Sequence, residues 1–221
     1  AILDKAFAAI DTAKANAEQN LQNAKELFES YLQNVFENKG TDWEEKTLEN
    51  VCESISAGGD KPKELSKFKT EKFTIPIYAN GEKNKGLYGF TNVAKVLEPS
   101  ITISGRGTIG YSEIRNEPFT PIVRLIVLIP KKEKIDIKLL KYIVSNINFI
   151  NSGSSIPQLT VPMVKGYKIT YPSIKEQKSI VQKLDALSVE TKKLEAIYTQ
   201  KIADLEEMKK SVLQKAFSGQ L

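Results

Sequence analysis

Histidine is absent from the 221-residue sequence, and its absence excludes a whole range of chemistry. Without an imidazole there is no Ser-His-Asp triad, no Cys-His dyad, no histidine-bound zinc and no imidazole proton shuttle. Cysteine occurs once, as Cys52. That excludes an intrachain disulfide and any metal or iron-sulfur site built from a cysteine cluster, and it fits a reducing cytoplasm. Long apolar runs are missing too: none exceeds five residues, as at Leu125 to Ile129, whereas a membrane-spanning helix needs roughly 20. Asp4, Asp11 and Lys14 interrupt the stretch that a signal peptide would keep apolar. With Ala1 in place of an initiator methionine, the sequence is expected to begin inside a longer one.

What is present is enough to fold. Hydrophobic residues make up 41% of the chain, and 32 Lys and Arg against 27 Asp and Glu give a net charge of +5, a moderate excess that suits a polyanionic partner. Residues 1 to 38 contain no Gly or Pro, and Leu3, Phe7, Ile10, Ala17, Leu21, Ala24, Phe28, Tyr31 and Val35 recur at steps of three, four and seven. This is the seam of a coiled-coil helix roughly 57 Å long, with Gly40 as its stop. The pattern returns from residue 174 to about 216 at Ile180, Leu184, Leu187, Thr191, Leu194, Tyr198, Leu205, Met208 and Val212, with Ile202 beside Lys201, and Ser173-Ile174-Lys175-Glu176 reads as its capping box. The two helices also share sequence. A shift of 181 residues lays Glu26, Ser30, Leu32, Gln33 and Phe36 on Glu207, Ser211, Leu213, Gln214 and Phe217, so a unit of globular domain followed by helix is expected to repeat, with one globular domain missing here.

Residues 41 to 172 have another texture. Alternating segments at Phe73 to Ala79, Gly86 to Val93, Ile101 to Ser104, Thr108 to Ile114, Thr120 to Ile129 and Tyr167 to Tyr171 predict strands between Gly, Pro, Asn and Lys turns. One helix is expected near Asp136 to Ile150, capped by Asp136. The middle holds 19 basic and 14 acidic residues, so it carries the charge excess while the flanking helices cancel. The fold class is therefore α+β: a β-rich domain, 41–172, inserted between two long antiparallel helices, 1–40 and 173–221.

Gly105-Arg106-Gly107-Thr108-Ile109-Gly110 matches the dinucleotide fingerprint, but Tyr111 to Thr120 has no helical period and contains Pro118. A Rossmann loop works only where a helix N-terminus meets the pyrophosphate, so the segment reads as a tight turn with Arg106 at its tip. Asn116-Glu117-Pro118-Phe119 faintly matches the Asn-Pro-Pro-aromatic loop of adenine methyltransferases, but Glu117 stands where that loop has proline. Lys61, Lys63, Lys67, Lys69 and Lys72 fall in one 12-residue segment after Gly58-Gly59, with Phe68 and Phe73 between them. Lysines on loops neutralise phosphates, and an arginine fork can bind guanine N7 and O6. Asn80, Tyr88, Ser104, Thr108, Ser154 and Gln158 add hydrogen-bonding groups on neighbouring turns.

Three segments carry a resemblance: the tail Leu205-Glu206-Glu207-Met208-Lys209-Lys210-Ser211-Val212-Leu213-Gln214-Lys215-Ala216-Phe217-Ser218-Gly219, the helix entry Tyr171-Pro172-Ser173-Ile174-Lys175-Glu176-Gln177-Lys178-Ser179-Ile180-Val181, and Ala24-Lys25-Glu26-Leu27-Phe28-Glu29-Ser30-Tyr31-Leu32-Gln33. Together they resemble the conserved regions of the specificity subunit of type I restriction-modification systems. Ile55 to Gly59, Phe73 to Pro76, Ile103 to Gly110 and Gly153 to Ser155 resemble turns of its target recognition domains. The family plan has two recognition domains and two helices, so this chain resembles a half subunit with one recognition domain.

The resemblance implies a cytoplasmic, non-catalytic reader of double-stranded DNA, without cofactor, on which separate modification (methyltransferase) and restriction subunits dock. A coiled-coil adaptor whose β-domain binds protein is the alternative. Surplus apolar residues on both helices lead us to expect a homodimer through them, with a bipartite, inverted target. The expected DNA-binding residues are Lys61, Lys63, Lys67, Lys69, Asn80, Tyr88, Ser104, Arg106, Thr108, Ser154 and Gln158.

Overall fold

A computed structural model describes residues 2–149 and 158–218. Its elements are α1 (Ile2–Glu37), β1 (Glu44–Thr47), α2 (Leu48–Val51), β2 (Cys52–Ala57), β3 (Ile75–Tyr78), β4 (Leu87–Thr91), β5 (Ser100–Ile103), β6 (Ser112–Arg115), β7 (Thr120–Pro121), β8 (Ile126–Pro130), α3 (Ile137–Asn146), α4 (Val161–Gly166), β9 (Lys168–Tyr171) and α5 (Ile174–Phe217). The fold is α+β. It forms two compact units, Gly40–Val181 and the helical segments that flank it.

In the helical unit, Lys14 meets Glu206 at 2.7 Å and Lys209 meets Asp11. Partner numbers rise along α1 while they fall along α5, so the pair is antiparallel, as the sequence predicts. The α1 seam is also as expected, with Ile10, Ala17 and Ala24 buried and Phe7, Leu21, Phe28, Tyr31 and Val35 half-buried. The α5 seam needs correction in part. Leu184, Thr191, Tyr198, Leu205 and Val212 keep their sevenfold spacing and Leu187 and Ile202 are half-buried as expected, but Leu194 and Met208 are exposed, and Ser188, Glu195, Lys209 and Ala216 are half-buried between the seam positions. Met208 is 53% exposed. Lys209, beside it, turns toward α1, where it pairs with Asp11 and holds its ammonium 6.0 Å from the centroid of the Phe7 ring.

In the globular unit, β8 lies at the centre of a four-stranded sheet ordered β2-β8-β5-β6, all antiparallel. Ile126, Val127 and Leu128 are all buried, because both faces of this strand are covered. Val127 packs with Tyr78, Val96, Phe119 and Leu125 on one side, and strand alternation turns Ile126 and Leu128 to the other. A second sheet is ordered β4-β3-β7, and β1 pairs with β9 where the chain enters and leaves the unit. Helix α3 begins because the Asp136 carboxylate accepts from the amides of Lys138 and Leu139, and it ends at Asn146, short of the expected Ile150, which lies outside the described residues.

Three expectations fail for local reasons. Thr120 to Ile129 is two strands, not one, because Val123 and Arg124 adopt left-handed φ of 52° and 60°, each costing about 1 to 3 kcal/mol outside glycine. Thr108 to Ile114 becomes extended only at Ser112, since Gly107 and Gly110 turn the chain at φ 69° and 86°. Ile55 to Ala57 belong to β2 rather than to a turn. Gly58 after them is tightly packed: a Cβ there would stand 2.6 Å from the Pro121 carbonyl carbon.

Candidate nucleic-acid interface

The glycine turn is held in place by its neighbours. The Ser104 amide donates to Tyr111 O at 2.8 Å and the Gly110 amide to Ser104 O at 3.0 Å, closing the turn on itself. Asn80, beyond the end of β3, accepts from the Gly105 amide through Oδ1 at 2.8 Å and donates through Nδ2 to Val123 O at 2.6 Å. The Ser104 hydroxyl accepts from the Gly81 amide at 2.8 Å, and the Leu159 amide donates to Gly105 O at 2.8 Å. A side chain at position 105 would stand 2.8 Å from Leu159 O, so only glycine lets these strands of chain meet. From this frame Arg106 projects, and its Nη2 donates to Gln158 Oε1 at 2.9 Å.

The structure thus brings together four of the expected residues, Asn80, Ser104, Arg106 and Gln158, from three distant stretches of sequence. Their parts differ. Ser104 is 1% exposed and builds the turn from inside. Asn80 spends both amide atoms on backbone. Arg106 and Thr108 are exposed and Gln158 is half-exposed, so these three can meet a ligand. Ser154 lies outside the described residues.

The lysine segment forms a second group. Lys61 donates to the Tyr88 hydroxyl at 2.6 Å and stands 4.5 Å from the ring centroid. Lys61 and Lys63, with Lys95, line a cleft of about 580 Å³. Lys72 is neutralised by Glu64 at 2.7 Å. Lys67 and Lys69 are exposed on either side of Phe68, which is itself 78% exposed. The segment is pinned rather than loose, since Ser66 and Phe90 exchange both backbone hydrogen bonds at 2.8 Å. Sequence reasoning missed Lys95: it stands alone in its stretch, and only the pairing of its amide with Phe119 O brings it to the cleft.

Buried chemistry nearby is structural. Arg115 is 6% exposed, lies 3.5 Å from the Tyr78 ring centroid and donates to Thr102 Oγ1 and Lys85 O. Desolvation lowers its pKa from the ordinary value. Tyr78 donates to Glu117 at 2.9 Å and packs edge-on against fully buried Phe119. Phe119 of this segment therefore serves the core, while Asn116, Glu117 and Pro118 are exposed. Burial, with a hydrogen bond to Glu113, pushes the Tyr111 hydroxyl up to about 12. Among the described residues no cluster of three or more acidic or cysteine groups could hold a metal, and no helix is long and apolar enough to cross a membrane. After Gly110 the chain enters β6 rather than a helix.

The family model of the type I restriction modification DNA specificity domain matches residues 40–206. Two proteins of Mycoplasma pneumoniae named as type I specificity subunits are 36% identical over 165 residues and 34% over 161; each alignment covers 73% of this chain, and 48% and 44% of the relative. The chain thus spans about half the length of the curated relatives it matches. Its fold is that of solved type I subunits. A chain from a structure of complex assembly and conformational transition in the type I R-M system superposes with a TM-score of 0.86 at 18% identity, covering 99% of this chain and 58% of that one. The HsdS subunit of Thermoanaerobacter tengcongensis gives 0.67 at 19%, covering 99% and 57%, and the S subunit from M. genitalium 0.65 at 16%, covering 97% and 59%. A match over three-quarters of the chain, on a fold in which distant turns converge around an exposed arginine, shows that the chain belongs to the type I restriction-modification DNA specificity domain family.

Proposed function

We propose that this chain is a non-catalytic DNA-reading half of a type I specificity subunit, which directs separate modification and restriction subunits to their target. The observation that carries the reading is the Arg106–Gln158 pair on a locked turn. Arginine can bind guanine N7 and O6 with two bonds, and glutamine can do the same for adenine N6 and N7. A rigid mount turns that capacity into discrimination. The lysines of the cleft supply phosphate contacts, which position the protein without choosing sequence. A half subunit needs a second reader, so two copies are proposed to pair through the long helices and read a bipartite, inverted target in the cytoplasm.

The test is affinity for an enriched and a scrambled duplex at several salt concentrations, the enriched one drawn from a randomised library. Neutralising Lys61, Lys63, Lys67 and Lys69 together should weaken both duplexes alike and reduce the salt slope by up to about 3.6. Arg106→Ala should cost about 1 to 3 kcal/mol on the enriched duplex alone and relax choice at one position. A chain that enriches no sequence and binds no duplex at low salt is not a DNA reader, and the protein-binding adaptor then takes its place.

A further inference from the structure

We propose that the Val123–Arg124 turn is a base-reading element of the DNA site, with Arg124 directed to a base edge and Val123 as its apolar neighbour; this rests on the DNA-reading function proposed above. The motivating observation is conformational. Both residues hold left-handed φ, and the Leu125 amide closes the turn by donating to Ile122 O at 3.1 Å. Two central residues at positive φ are the type I′ arrangement, which Asn-Gly fills with least strain. A β-branched valine in it is an outlier.

The turn cannot relax, because it is held on several sides. The Val123 amide donates to Gly59 O at 2.8 Å, the Arg124 amide donates to Gly58 O at 2.9 Å, and Val123 O accepts from Asn80. Asn80 also carries Gly105, so the Arg124 turn and the Arg106 turn stand on one bracket. Yet neither strained side chain lies in the core. Val123 is 42% exposed, and Arg124 is exposed, with no side-chain hydrogen bond or ion pair to another described residue. Asn-Gly would make the same connection with less strain. The fold therefore has no need of these side chains, whereas a ligand has.

Charge and rigidity select the ligand. A planar guanidinium on a fixed backbone suits two directed bonds to guanine N7 and O6, and the valine methyls suit the methyl group of thymine. A phosphate contact asks only for positive charge nearby and gains little from a strained mount.

The experiment uses the full chain, alone and assembled with a modification subunit, and the duplex it enriches from a randomised library beside a scrambled duplex. Val123→Gly and Arg124→Gly remove side chain and strain together. Each should raise the melting temperature, weaken the enriched duplex about tenfold or more and leave the scrambled duplex unchanged, and Arg124→Gly should lose preference at one position when selection is repeated. Arg124→Lys, which keeps the charge without the fork, should lose the same preference. Glycine variants that melt higher and still enrich the original sequence with undiminished affinity make the turn purely structural and overturn the proposal. Equal weakening of both duplexes, with a salt slope lower by about 0.9, makes Arg124 a phosphate contact and overturns it as well. If the unsubstituted chain enriches nothing in either form, the DNA-reading function falls and this proposal falls with it.

Discussion

Cys52 stands at the start of β2 with 3% of its surface exposed, and burial pushes its thiol from an ordinary 9.0 up to about 12 although Lys131 pulls the other way. The raised value makes stability depend on alkali. Below pH 9 the thiol is protonated in both the folded and unfolded chain, and nothing is lost. Between 9 and 12 the unfolded chain releases the proton while the folded one keeps it, so stability falls with rising pH, by at most about 1.4 kcal/mol per pH unit from this group. Tyr111 and Tyr78, whose hydroxyls are also raised by burial, act in the same direction. Cys52→Ala should start from a lower stability and lose it less steeply, a difference that denaturant unfolding at pH 8, 9.5 and 11 resolves. Parallel slopes for the two proteins would show that the thiol ionises as freely folded as unfolded.

At the scale of elements, the start of α5 is tied to the rest of the globular unit through Gln177, while the expected capping box is only partly formed. Glu176 accepts from Trp43 Nε1 at 3.3 Å, and the Ser173 hydroxyl reaches the Glu176 amide only at 3.5 Å, so the reciprocal box is half made. Gln177, fully buried, accepts from the Asp136 amide at 2.7 Å and donates to Lys134 O and Pro172 O. It joins the first turn of α5 to the start of α3. Gln177→Ala leaves three backbone groups without partners and should cost about 3 kcal/mol or more, read from the midpoint of denaturant unfolding of the globular unit. A loss under about 1 kcal/mol would mean that water replaces the amide. Sequence patterning could not find this residue, since a glutamine one position past a capping box looks like any exposed helix residue. The same limit explains the site. Arg106 was legible because glycines flank it, and Asp136 because an apolar period follows it. Lys95, Val123 and Arg124 were not legible: they become part of a site only through pairings between distant stretches, and no local signal marks a left-handed valine.

At the scale of the whole molecule, the two long helices and their shared sequence were legible from heptad spacing, because an antiparallel pair needs only a periodic seam. The outward faces of that pair hold what the seam leaves over. Val189, Leu194, Ile197, Met208 and Leu213 on α5, and Leu27 on α1, are between 37% and 59% exposed. Leu194, Ile197 and Met208 recur at steps of three and eleven, which keeps them on one side of a helix with 3.6 residues per turn. The pairing of two copies proposed above would cover this face. A two-fold pair would use one self-complementary surface. Burying an isoleucine or methionine side chain contributes about 1.5 to 3 kcal/mol, and symmetry presents each residue twice. Ile197→Glu and Met208→Glu should therefore each weaken self-association at least about tenfold, and the double variant should sediment as a monomer at micromolar concentration where the unsubstituted chain sediments as a dimer. The globular unit, which neither residue belongs to, should keep its unfolding midpoint. An unsubstituted chain that sediments cleanly as a monomer, with and without DNA, would remove the second copy from the account and leave this face to a different subunit.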